Sequence, residues 1–249
     1  MLMLTFSILK KCKYKASVYK LYKNLSVDVS QSRVRPAAEK LSGDTSYIEI
    51  LPSWAPNEET DLRTTILHHM RIVPNFVSEE EEAALLAEVE PQLKKMRYEY
   101  DHWDNAIEGY RETERGKWND QNEAVLSRVK EMAFAPKAEL LPYVHVLDLA
   151  AAGHIKPHVD AVRFCGDTIA GLCLASSAVM RLTHEKKPHV ALDALLERRC
   201  LYIMSGVARY DFSHAVLGGE HSVWRGDRLP RRRRVAIICR EQPRAEHRQ

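Results

Sequence analysis

The sequence predicts an α+β protein: a double-stranded β-helix (jelly-roll) core with N-terminal helices packed against it. Two observations carry this. From Leu141 onward, short apolar runs at 143–149, 168–174, 178–183, 200–204 and 235–239 alternate with Gly, Pro and polar turns, the rhythm of an antiparallel sandwich or barrel. Ahead of them lie two stretches of helical periodicity, near 79–90 and 120–134. No internal repeat is evident.

The elements follow in order. Ser78 with Glu81 forms a capping box, acids fill the first turn, and Ala83, Leu85, Leu86 and Val89 make an apolar stripe, so 79–90 reads as a helix. Pro91 kinks it or opens a further turn toward Met96. Residues 97–118, aromatic and charged, read as short strands and a loop. Asp120 can cap a second helix through Phe134, with Val125, Leu126, Val129, Met132 and Ala133 inward. The run Val190–Leu196 reads as a short helix or loop.

The 249 residues suffice for one good core plus a terminal extension. No run of eighteen apolar residues exists, so no membrane-spanning helix is expected. Cys12, Cys165, Cys173, Cys200 and Cys239 form no C-x-x-C and are odd in number, which indicates free thiols in a reducing compartment. A net charge of +3 supports no claim about nucleic acid. Residues 1–27 hold Lys10, Lys11, Lys13, Lys15, Lys20 and Lys23 and no acid, and the charge follows the apolar start. That is the pattern of a mitochondrial presequence, with a basic arm as the plainer reading, and it implies the mitochondrial matrix. Residues 28–70, with Pro36, Pro52 and Pro56, read as a partly disordered linker, 71–241 as the folded domain and 242–249 as a tail.

The chemistry lies in the C-terminal half. His158-Val-Asp160 and His214 supply two histidines and a carboxylate, which can hold Fe(II) on one face and leave the opposite positions open. Arg234 and Arg240 flank Val-Ala-Ile-Ile-Cys, and an arginine can clamp a carboxylate with two parallel hydrogen bonds. Together these are the parts of an iron and 2-oxoglutarate oxygenase. Each part alone is weak: roughly half an H-x-D is expected by chance here, and His102-Trp103-Asp104 is a second one. Context separates them. His158 follows the strand-like Tyr143–Leu149 and an Ala-Ala-Gly turn, and residues two apart on a strand face one side. Residues 234, 236, 238 and 240 share a strand face, whereas the rival pair Arg228 and Arg234 encloses Pro230. His102 and Asp104 read as structural or as a substrate wall, and His145 and Asp148 fall on opposite faces of one strand. Trp103 and Trp118 read as core or rim aromatics rather than base-stacking platforms. The crowd of arginines from Arg225 to Arg234 is either a solvated loop or a surface for RNA, anionic lipid or an acidic partner.

These motifs, with the words Arg97-Tyr-Glu-Tyr-Asp-His-Trp-Asp104, Ile155-Lys-Pro-His-Val-Asp160 and Ala208-Arg-Tyr-Asp-Phe-Ser-His214, resemble the AlkB-like Fe(II)/2-oxoglutarate dioxygenases, particularly their mitochondrial members. The resemblance spans about Arg71 to Arg240. It implies Fe(II) at His158, Asp160 and His214, with 2-oxoglutarate and dioxygen as cosubstrates. It further implies 2-oxoglutarate's distal carboxylate on Arg234, with Tyr202 and Arg240 beside it. An Asn-x-Tyr pair common in the family is replaced by Leu147 and Leu149, which shifts cosubstrate binding onto Tyr202 and Arg234. The resemblance also implies a role in programmed necrosis and fatty-acid metabolism. The expected activity is hydroxylation of a protein substrate by a monomer, because no aromatic-rich hairpin for gripping a flipped base is evident. The alternatives are oxidative demethylation of mitochondrial RNA and a non-catalytic interaction protein that keeps the fold.

Overall fold

One fifteen-residue strand, β4 (Val144–His158), organises the molecule. The computed structural model describes residues 43–102 and 105–245. The first half of β4 pairs with β12 (Arg234–Arg240), from His145↔Ile238 to Leu149↔Arg234. It also pairs with β3 (Ile107–Arg115). Its second half pairs with β9 (Phe212–Val216) through Ile155↔Val216 and His158↔His214. One strand thus belongs to two leaves. The first leaf continues from β12 to β5 (Thr168–Leu174), β8 (Leu201–Ser205) and β2 (Met70–Val73). The second continues from β9 to β6 (Ala178–His184), β7 (Lys187–Leu196) and β1 (Ile48–Ile50). Every pairing among these is antiparallel.

β4 bends between its halves at a bulge, where the register with β3 shifts between Glu108 and Tyr110. Gly153 lies there against the backbone of Gly109: a Cβ on Gly153 would sit 2.5 Å from the Gly109 carbonyl oxygen, so no larger residue fits. The Ala-Ala-Gly stretch expected as a turn is therefore the bend of a continuous strand.

Strand alternation sorts the side chains. Leu147, Cys173, Tyr202, Met204, Ala236 and Ile238 point into the curl and join one core. Their neighbours Val146, Leu172, Ile203, Val235 and Ile237 face outward to the helices. Those helices are α2 (Glu79–Leu93) and α3 (Asp120–Ala133), burying Leu85, Val89 and Leu93 and Val125, Leu126 and Val129. The capping box is present: Glu81 N–H donates to Ser78 Oγ at 3.1 Å and Ser78 N–H to Glu81 Oε2 at 3.0 Å. α2 passes through Pro91 and ends at the buried Leu93. α3 is capped by Asn119 rather than Asp120, its Oδ1 accepting from Asn122 N–H at 2.9 Å.

Two expectations are corrected and one strand was not foreseen. Residues 43–70 were expected in the linker, yet β1 extends the β7 edge, α1 (Thr60–His69) packs Ile66 into the core, and Trp54 is buried. A three-residue strand and a helix burying one side chain carry too little periodicity to read. Val190–Leu196, expected as helix or loop, lies in strand β7, and both its faces are covered, so the alternation that marks a strand is lost. β9 escaped notice because Ser213 and His214 break its apolar run, although all five of its residues are buried. The presequence at 1–27, Trp103 and Asp104 lie outside the described residues.

Asp148, fully buried on the helix side of β4, accepts from Arg111 Nε at 2.7 Å, Arg233 Nη2 at 2.8 Å and Tyr98 Oη at 3.2 Å. Arg233 also reaches Glu90 of α2, so this carboxylate ties β3, β4, the approach to β12 and α2 together. Asp148→Ala leaves Arg111 without its buried counter-charge and Arg233 with Glu90 alone. It should lower the unfolding free energy by about 3–5 kcal/mol, read by urea denaturation.

Candidate metal centre

His158 ends β4 and lies directly across from His214 of β9, with ring centroids 4.3 Å apart. His158 Nδ1–H donates to the Lys156 carbonyl at 3.0 Å, which fixes the ring with Nε2 facing Asp160. Asp160 is not on the strand as the sequence argument supposed. It lies two residues beyond, where the chain leaves β4. Its Oδ1 lies 3.2 Å from His158 Nε2 and 3.7 Å from His214 Nε2. Ligand atoms of the three residues fall within 4.8 Å of one another, and among the described residues this is the group that could hold a metal ion.

Because Asp160 is off the strand, other groups must hold it. Arg240 Nε donates to its Oδ2 at 3.2 Å. Buried Arg209, just after β8, donates to the Gly166 and Cys165 carbonyls, both at 3.3 Å, and anchors the loop that follows Asp160. Burial opposes ionisation of Asp160. The hydrogen bond from His158 and the charge of Arg240 outweigh it and hold the carboxyl well below its usual range. Burial, and then the neighbouring His158, push His214 down to about 3. At neutral pH the site thus presents an anionic carboxylate and a neutral His214 imidazole, the protonation states a divalent cation needs.

Across the cavity, Arg234, Ala236, Ile238 and Arg240 share one face of β12, and both arginines line the cavity with Tyr202. Arg234 is buried. Its Nε donates to Cys173 Sγ at 3.2 Å, while its Nη2 is buried with no hydrogen-bond partner. A desolvated guanidinium without a carboxylate is costly, and a carboxylate entering the cavity would relieve it. The Cys173 thiol is lowered to about 6 by a hydrogen bond from Cys200, against burial and with help from Arg234. Burial keeps the Tyr202 phenol neutral. Its ring occupies the space over Gly171, where a Cβ would lie 2.5 Å from the phenol oxygen. Leu147 lines the cavity and Leu149 is buried nearby, so this wall is apolar where the family pattern would place polar groups.

Other sequence candidates resolve differently. Arg228 is exposed on the short strand β11 (Asp227–Arg228), which pairs with β10 (Val223–Trp224) ahead of Pro230, and this removes the rival arginine pair. Part of the arginine crowd is held internally: the Arg225 guanidinium donates to the Ser46 carbonyl and its backbone N–H to Glu49, Arg233 binds Asp148 and Glu90, and Arg231 gives one nitrogen to the Gly153 carbonyl while its Nε and Nη1 are buried without a partner. His102 packs edge-on against Tyr110, and the Trp118 ring is covered by Arg115. His145 points into the cavity, Asp148 away from it. Sequence reasoning missed Gly171, Arg209, Cys173 and Glu112. A glycine inside an apolar strand was a usable signal for Gly171, whereas Glu112 offered none.

No family model matches the chain. It is 49% identical over 191 residues to the alpha-ketoglutarate-dependent dioxygenase alkB homolog 7, mitochondrial, of Mus musculus, covering 77% of this chain and 86% of that protein. It is 54% identical over 170 residues to the Bos taurus protein of the same name, covering 68% and 77%. Among solved structures, a Pseudomonas putida prolyl-4-hydroxylase aligns with a TM-score of 0.48 at 14% identity, over 75% of this chain and 97% of that one. The chain belongs to the AlkB-like alpha-ketoglutarate-dependent dioxygenases, with 2-oxoglutarate and dioxygen as cosubstrates. Within that family it falls with the mitochondrial homolog 7 proteins, and their designation supports the mitochondrion as its compartment.

Gly171→Ala should force the Tyr202 ring aside and cost about 1–3 kcal/mol of stability, read by chemical denaturation. An unchanged unfolding midpoint would show that the ring moves freely.

Proposed function

We propose that His158, Asp160 and His214 hold Fe(II) and that Arg234 pairs with the distal carboxylate of 2-oxoglutarate. Tyr202 and Arg240 flank the cosubstrate. The observation that carries this is the pairing across one cavity of a convergent His-Asp-His set with a buried arginine whose Nη2 has no partner. Iron bound there supplies the oxidising chemistry, in which dioxygen and 2-oxoglutarate become succinate, carbon dioxide and one hydroxyl on a substrate C–H bond.

The chain's own residues have definite tasks. His158 and His214 offer imidazole nitrogens on one side and leave the cavity side open to ligands. Arg234, dry and already charged, orients the cosubstrate with no proton to move. Leu147, Ile169, Met180 and Val216 exclude water from the reacting end.

The proposed substrate is a protein side chain in the mitochondrial matrix, in a role connected with programmed necrosis and fatty-acid metabolism. Two features support a protein over RNA. Arg225, Arg231 and Arg233 of the arginine crowd each spend at least one guanidinium nitrogen on partners within the fold. The hairpin bearing Trp224 is tied by Arg225 to Ser46 and Glu49 at the β1 edge, which joins β7 and not β4. Formaldehyde release from methylated RNA would favour demethylation instead, and failure to make succinate with any substrate would favour a non-catalytic protein.

His158→Ala and Asp160→Ala should each abolish iron-dependent succinate production while leaving the thermal unfolding transition in place. Full turnover in either would remove the iron assignment. Arg234→Ala should raise the 2-oxoglutarate concentration for half-maximal turnover by roughly 30-fold or more, as loss of a buried charge pair does. An unshifted titration would place that carboxylate elsewhere.

A further inference from the structure

Asp160 is the one proposed ligand not carried by a strand, and Arg240 can bind it in two ways. With one nitrogen on Oδ2, Oδ1 stays free to face His158 and His214. With two nitrogens on both oxygens, the bidentate pairing arginine favours, both oxygens are engaged and neither is left wholly to a metal. The structure shows the first arrangement: Arg240 Nε is on Oδ2 at 3.2 Å, while Arg240 Nη1 turns away to His145 Nδ1 at 2.9 Å. A guanidinium only donates, so His145 Nδ1 must be the unprotonated, accepting nitrogen. The proton is then on Nε2, which donates to Glu112 Oε2 at 2.8 Å. Glu112 is itself steadied by His102, whose Nε2 lies 3.6 Å from Oε1.

Strand register builds this row. His145 pairs with Ile238 on β12, so Arg240 is its diagonal neighbour; it pairs with Glu114 on β3, so Glu112 is diagonal on the other side. Three adjacent strands thus deliver Glu112, His145 and Arg240 in line toward Asp160. We propose that His145, fixed in its Nε2–H tautomer by Glu112, is a positioning residue that holds Arg240 to a single oxygen of Asp160 and so keeps the other oxygen available to the metal. This rests on the metal assignment above.

The test is Mn(II) binding to the full chain, followed by electron paramagnetic resonance without 2-oxoglutarate or substrate. His145→Leu removes the acceptor and should weaken Mn(II) binding by about 10–100-fold, the range for ligands' outer partners. His145→Asn returns an acceptor near the position of Nδ1 and should recover to within about 3-fold of wild type, a rescue that a packing role would not give. Glu112→Ala, at a half-exposed position, should weaken binding by about 10-fold and carries the test if His145→Leu fails to fold. Wild-type affinity in His145→Leu, or in Glu112→Ala where the leucine variant does not fold, would overturn this inference alone, as would an asparagine variant as weak as leucine. If wild type takes up no Mn(II), or takes it up equally with His214→Ala, the metal assignment and this inference fall together.

Discussion

The bend in β4 is the constraint on which the rest depends. A straight strand of fifteen residues would carry His145 and His158 far apart along one leaf. The bulge at Glu108–Tyr110, with Gly153 pressed on the Gly109 backbone, lets the same strand pair first with β12 and then with β9. The leaf bearing Arg234, Arg240 and Tyr202 and the leaf bearing His214 therefore close around one cavity, with β4 contributing to both sides. The buried Asp148 holds the outer face of that strand to its neighbours and to α2, so the bend is braced from behind.

The cavity is an electrostatic arrangement as much as a geometric one. Its cations are arginines, charged at any physiological pH, and its candidate ligands are kept anionic or neutral by burial and neighbours. Arg240 already has a carboxylate; Arg234 has the Cys173 sulfur on Nε and nothing on Nη2. The two arginines that look alike six residues apart are thus unlike in what they lack. That difference fits Arg234 for an incoming acid and Arg240 for orienting a residue already in place.

Much of this was readable from local pattern. Nearly unbroken apolar runs mark β5, β8 and β12, which are covered on both faces, and a shorter one marks β6. The capping box marks α2 because capping is chemistry among residues three apart. β7 and β9 hid because polar residues interrupt them, Asp193 in the one and Ser213 and His214 in the other, and β1 and α1 because they are short and lean on one or two side chains. His158, His214, Arg234 and Arg240 were reachable through spacing and resemblance, and Tyr202 through resemblance alone.

By itself, the sequence determined which residue types exist at which strand positions: two histidines, a carboxylate near one of them, and two arginines on one face of a strand. Those follow from covalent order and the two-residue repeat. Tertiary structure decided what no local pattern encodes. It placed Glu112 and His145 in line with Arg240, put Arg209 behind the Asp160 loop, and left Arg234 Nη2 without a partner. Hydrogen-bond partners between distant strands depend on register and on the bend, and both are set by how the whole sheet packs.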